Sequence, residues 1–130
     1  MQRLHLPKTV PAGIEVWLLK FDFHSTQLIN DWPLLSMDEQ IRTQRFRQHE
    51  DQVRSIVTRA ALRRLLAERV MSSPHDIQIE LDKFGKPRLP ASYGVEFNVS
   101  HAGDFALIAL STRGEIGVDL LSRILRQAGV

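Results

Sequence analysis

The sequence predicts an α+β domain, mainly antiparallel sheet packed on helices. Short apolar runs separated by tight-turn residues fill the C-terminal third, a long stretch at helical spacing fills the middle, and a strictly alternating run lies between them. With 130 residues, 43% of them hydrophobic, the chain can build one core, and residues 1–130 are expected to form a single domain.

Pro7, Pro11 and Gly13 keep the first dozen residues extended until Ile14 opens a strand running through Phe21, with Ile14, Val16 and Leu18 on one side. Asp22 and His24 follow as solvated loop residues. After Trp32-Pro33, Ser36 is placed as the N-cap of a helix with Glu39 at its third position, the pattern of a capping box. This helix is expected to turn Ile41 and Phe46 inward and Arg42, Arg45 and Arg47 outward. His49-Glu50-Asp51 opens a second, longer helix, because acidic residues suit a first turn and Val53, Ile56, Val57, Ala60 and Ala61 follow at helical spacing. Leu62, Leu65, Leu66 and Val70 widen its apolar surface, leaving Arg54, Arg59, Arg63, Arg64 and Arg69 at the edges, until Ser72-Ser73-Pro74 ends it.

Ile77, Ile79 and Leu81 alternate with Gln78 and Glu80 as a half-buried strand. In the turn Asp82-Lys83-Phe84-Gly85-Lys86-Pro87, Gly85 permits a sharp bend and Pro87 stiffens the exit, which fixes Lys86 between them. Pro90 to Gly94 is a polar connection. Val95–Val99 reads as a strand followed by the turn-forming Ser100-His101-Ala102-Gly103-Asp104, and Phe105–Leu110 as a buried strand. Ser111-Thr112-Arg113-Gly114 turns the chain again, and Ile116–Leu120 is expected to complete a hairpin. In that last strand Asp119 would share the face away from Ile116, Val118 and Leu120 with Gly117 and Leu121.

The absence of cysteine removes disulfide frameworks and thiolate metal sites, which suits a reducing compartment and predicts a cytoplasmic protein. No apolar run approaches bilayer length, and the N-terminus lacks the apolar centre of a signal peptide. The formal charge is only +2, yet the sequence pI of about 9.4 and the clustered arginines imply an anionic partner. Alternatively the arginines only solubilise exposed faces and pair with Glu50, Asp51 and Glu68. A nucleic-acid partner would be expected to come with interleaved aromatics or a helix-turn-helix glycine pattern, and neither is present. Ser100-His101 invites a nucleophile-and-base reading, but adjacent residues of an extended chain project differently and no acidic orienter is identifiable.

Phe84-Gly85-Lys86-Pro87, Phe97-Asn98-Val99-Ser100-His101 and Ile116-Gly117-Val118-Asp119, in this order and preceded by the basic region Arg42 to Arg63, resemble the N-terminal half of the Sfp-type 4'-phosphopantetheinyl transferases. The resemblance implies half of a two-fold pseudo-symmetric fold, extending to the first metal-binding strand of the second half. It also implies an enzyme that transfers 4'-phosphopantetheine from coenzyme A to a serine of an apo acyl or peptidyl carrier protein, a holo-acyl-carrier-protein synthase activity. Carried over residue by residue, it assigns Arg42, Arg45, Arg54, Lys86, Pro87, Ser100 and His101 to the 3'-phosphate and adenine of coenzyme A, and Asp119 to Mg²⁺. Non-catalytic coenzyme A binding is the alternative.

Two departures accompany the resemblance. Leu121 stands where the family has a second metal carboxylate, and Ser122 to Val130 do not continue the family pattern into the Lys-Glu motif of the second half, so no residue is assigned the general base. These departures predict a truncated or frameshifted chain whose apolar strands lack their covering half, a marginally stable fold prone to self-association.

Overall fold

Ile14–Lys20, rich in β-branched and aromatic side chains, forms strand β2 in a computed structural model that describes residues 1–24, 26, 28–114 and 116–127. Gln2–Arg3 (β1) pairs antiparallel along one edge of β2. Along the other edge runs β6, Phe105–Ser111, with Ile14 opposite Ser111 and Lys20 opposite Phe105. Beyond β6 lies β5, Glu96–Ala102, giving the sheet order β1-β2-β6-β5. The uninterrupted apolar run of β6 suits its central place, since every residue from Ala106 to Ser111 is buried. A separate two-stranded hairpin joins β3, Glu80–Leu81, to β4, Pro87–Arg88.

The chain divides into two compact units, Met1–Lys20 with Gln78–Val130 and Phe21–Ile77. In the first, Val16, Leu107 and Ala109 of the sheet pack with Ile116, Leu121 and Ile124. The last two belong to helix α4, Val118–Gln127, where a completed hairpin strand was predicted. Helical geometry wins because Leu121 and Ile124, three residues apart, fall on one face, and burial of each stabilises the fold by about 1.5–3 kcal/mol. The Leu121 amide donates to the Gly117 carbonyl at 3.2 Å, forming the first helical turn. Asp119 and Leu121, alike in facing in a strand, are separated by the helix: Asp119 is exposed and Leu121 is 5% exposed. Residues beyond Leu120, which do not continue the family pattern, therefore help to cover an apolar face of the sheet.

The second unit contains α1 (Leu28–Asp31), a short turn of 3-10 helix at Trp32–Leu34, α2 (Met37–Gln44), α3 (His49–Val70) and a 3-10 turn at Pro74–Asp76. The predicted capping box is present: Glu39 N–H donates to Ser36 Oγ at 3.2 Å, and Ser36 N–H to Glu39 Oε1 at 2.8 Å. Ile41 and Phe46, expected inside, are exposed, and α2 instead buries Glu39 and Thr43. Its inward face is polar because it meets polar groups of α3. Thr43 Oγ1 lies 2.7 Å from Ser55 Oγ, and Glu39 pairs with arginines. A small apolar cluster, Leu35, Ile56 and Ala60, is joined by Leu28, Trp32 and Leu34.

The predicted strand Ile77–Leu81 is shorter than its alternation suggests. Only Glu80 and Leu81 pair, while Ile77 is buried after the 3-10 turn and gives its carbonyl to Arg63.

Candidate functional site

Among the arginines of the second unit, Arg63 is buried and Arg59 half-buried as structure, while Arg42 and Arg45 are exposed. Arg63 is 2% exposed, not at a helix edge as expected. Its Nε donates to Glu39 Oε1 at 2.7 Å, and one terminal nitrogen donates to the carbonyls of Pro74, His75 and Ile77 at 3.0, 3.1 and 2.8 Å. The Nε–H and the two N–H groups of that terminal nitrogen reach four acceptors by sharing one hydrogen between two carbonyls, over a span that a compact ammonium does not cover. Arg59 lies 2.9 Å from Glu39 Oε2, an ion pair without hydrogen-bond alignment. Burial holds its pKa below the usual arginine value, Glu39 opposes that shift, and the charges of Arg42 and Arg63 add to it.

Arg42 and Arg45 stand on the exposed end of α2, and no carboxylate pairs with either among the described residues. Arg45 caps the helix, its amide donating to the Arg42 carbonyl at 3.2 Å. The turn into α3 is closed by Gln52 Nε2, which donates to the Phe46 carbonyl at 2.8 Å. Arg54, in the second turn of α3, is held from two sides. Asp51 Oδ1 accepts from it at 3.1 Å, and the Phe23 ring lies beneath its guanidinium, 4.9 Å to the centroid. The Phe23 carbonyl is also 3.1 Å from His49 Nε2, and the Phe23 ring is tilted against Phe21 at 5.9 Å. α2 and α3, joined by a short turn, thus bring Arg42, Arg45 and Arg54 onto neighbouring helices.

In the first unit, Lys86 and Pro87 close the β3–β4 hairpin. Gly85 takes φ +79° there, a conformation that favours glycine. Lys86 is exposed, and no carboxylate pairs with it among the described residues. Arg88 ties the hairpin to the start of β5 through Glu96 at 3.6 Å. Ser100 and His101 lie further along β5, opposite Leu107 and Ala106, where a turn was expected; the turn comes at Gly103, with φ +59°. As strand neighbours their side chains project to opposite faces, which leaves no nucleophile–base dyad.

Asp119 is in the first turn of α4, where a carboxylate favours the positive end of the helix dipole. Leu121, the position of an expected second carboxylate, points into the core. No group of three or more histidine, aspartate or glutamate side chains suited to a metal occurs among the described residues. No helix among them is long and apolar enough to cross a membrane.

The sequence assigns no organising role to Glu39 and Phe23 of the second unit or to Asp82 of the first, although each holds an arginine in place. The capping-box spacing had marked Glu39 as a cap, but its pairing with arginines on α3 is a tertiary contact that no local pattern discloses.

The family model for the N-terminal part of 4'-phosphopantetheinyl transferases matches residues 23–113. A putative 4'-phosphopantetheinyl transferase, slr0495 of Synechocystis, is 43% identical over 89 residues, which cover 67% of this chain and 36% of the relative. The 4'-phosphopantetheinyl transferase HetI of Nostoc is 32% identical over 128 residues, 92% of this chain and 54% of the relative. Sfp of Bacillus subtilis, also a 4'-phosphopantetheinyl transferase, is 26% identical over 86 residues, 66% and 38% respectively. The chain spans between about a third and about half the length of these relatives.

Proposed function

Because the chain belongs to the 4'-phosphopantetheinyl transferase family, as its N-terminal part, we propose that it serves the transfer of 4'-phosphopantetheine from coenzyme A to a serine of an apo acyl or peptidyl carrier protein in the cytoplasm. Its own share is to hold the nucleotide end of coenzyme A. The observation that carries this reading is a set of exposed cations on defined backbone, Arg42, Arg45 and Lys86, with no carboxylate counter-ion among the described residues. Left uncompensated, they suit a multiply charged phosphate ligand.

Arg42 and Arg45 would give paired N–H donors to phosphate oxygens, and Arg54, already oriented by Phe23 and Asp51, would add a third guanidinium. Lys86 would act as a point charge, Pro87 would border the adenine, and the Ser100 hydroxyl and His101 ring would supply further donors. In the transfer, the carrier serine oxygen bonds to the phosphorus bearing the pantetheine arm. The phosphoanhydride P–O bond breaks, adenosine 3',5'-bisphosphate leaves, and the serine hydroxyl proton passes to that leaving phosphate or to water. Magnesium would neutralise charge on the pyrophosphate in such a reaction. The described residues hold no group of three or more histidine, aspartate or glutamate side chains to make its site, and Asp119 stands on a helix first turn.

The burial of Leu121 favours a second reading, coenzyme A binding without transfer. Intact-mass measurement of an apo carrier protein after incubation with this chain, coenzyme A and Mg²⁺ separates the two. A phosphopantetheine-sized increase supports transfer. No increase with retained coenzyme A binding supports the second reading, and no binding at all overturns both.

A further inference from the structure

The β3–β4 turn is exposed from Lys83 to Lys86 and has little core to rest on; Phe84 is 83% exposed and open space surrounds Gly85. Fixing such a segment costs backbone entropy at every residue, with no comparable apolar burial in return. Its conformation is nevertheless closely specified, and one side chain does most of the specifying.

Asp82 Oδ1 accepts from the Phe84 amide at 2.8 Å and from the Lys86 amide at 2.9 Å. Asp82 Oδ2 accepts from Arg88 Nε at 2.9 Å. The Asp82 amide donates to the Lys86 carbonyl at 2.9 Å, and its carbonyl accepts from the Gly85 amide at 2.9 Å. The backbone of Lys86 is therefore gripped at both its N–H and its C=O by one residue. Lys83 turns back over the Phe84 ring at 5.1 Å, whereas Lys86 is left with its ammonium exposed. Arg88, held by Asp82, also reaches Glu96, so the turn is oriented with respect to β5.

We propose that Asp82 is a positioning residue for ligand binding, which preorganises the Lys86 backbone so that its ammonium meets an anionic phosphate at small entropic cost. This rests on the reading of Lys86 as a coenzyme A contact. The side-chain charge is well suited to the task, because the Arg88 hydrogen bond, then the Lys86 amide, keeps the Asp82 pKa below the usual carboxylate range.

The test is coenzyme A titration of the full chain and of the variants Lys86→Ala, Asp82→Ala, Asp82→Asn and the double variant Asp82→Ala/Lys86→Ala. Amide hydrogen exchange at Phe84 and Lys86 is followed in parallel. Loss of one charge-assisted contact corresponds to roughly 10- to 100-fold in affinity for Lys86→Ala. Asp82→Ala should show part of that loss, about 3- to 10-fold, with faster exchange at both amides and no further weakening in the Lys86→Ala background. Asp82→Asn keeps one oxygen acceptor for the Phe84 and Lys86 amides but turns a donor toward Arg88 Nε, so it should restore only part of the affinity lost in Asp82→Ala, a partial rescue that also serves if Asp82→Ala folds poorly. Full affinity in Asp82→Ala beside a large loss in Lys86→Ala would overturn the positioning role alone. No loss in Lys86→Ala would overturn the reading of Lys86 and this inference with it.

Discussion

Replacing Arg63 by alanine removes the central donor of the second unit, and the geometry sets the scale of the loss. Four acceptors, the Glu39 carboxylate and three carbonyls, lose their bonds to one side chain that is 2% exposed. Breaking one partner out of a buried ion pair typically costs about 3–5 kcal/mol, because the remaining charge stays desolvated. Arg59 remains beside Glu39, which limits that penalty, while the orphaned carbonyls add to it. A net loss of about 4 kcal/mol is expected, a large part of the roughly 5–15 kcal/mol typical of a folded protein. Arg63→Lys should lose about half as much, since an ammonium keeps the charge beside Glu39 but cannot span all four acceptors. Urea unfolding in a Trp17→Phe background, where Trp32 is the only tryptophan and reports on the second unit, measures both. An Arg63→Ala variant within about 1 kcal/mol of the parent would refute the assignment of Arg63 as the structural centre of this unit.

Further outcomes follow from the same contacts. Leu121→Glu places a carboxylate where one was expected for a metal, but the side chain is buried with Val16 and Ile124, so it should destabilise by at least the roughly 2–5 kcal/mol of a core truncation, read by thermal unfolding. Phe23→Leu removes the ring under Arg54 and should weaken coenzyme A binding about 2- to 5-fold by calorimetry, whereas Phe23→Tyr should retain it. Asp82 has a folded-state pKa below its unfolded value, so its stabilising contribution is fully present above about pH 3.9 and is lost as pH falls below that through the folded value. The difference in melting temperature between parent and Asp82→Ala should accordingly shrink toward zero on acidification, and a constant difference would contradict the sign of the shift.

Local signals were legible wherever the physics is local. The Ser36–Glu39 capping box, the first turn of α3 and the buried run of β6 each depend on residues within one turn or one strand, and each was read from sequence. The tail was misread because the turn at Ser111–Gly114 and the alternation of Ile116, Val118 and Leu120 suit a hairpin strand, which outweighed the helical spacing of Leu121 and Ile124. The arginines of α3 were placed at its edges because periodicity does not distinguish a solvated cation from a buried one. Arg63 is inside only because Glu39 and the carbonyls of Pro74, His75 and Ile77 arrive from elsewhere in the chain. Lys86 was recognised as fixed, yet credit went to Gly85 and Pro87 when Asp82 supplies most of the bonds.

In the proposed function this chain recognises the phosphorylated nucleotide end of coenzyme A. The most direct test is a calorimetric comparison of coenzyme A with 3'-dephospho-coenzyme A on the full chain and on Arg54→Ala. The account predicts that removing the 3'-phosphate weakens binding at least about tenfold, and that Arg54→Ala narrows the gap between the two ligands. Equal affinity for both ligands on the unaltered chain would contradict it.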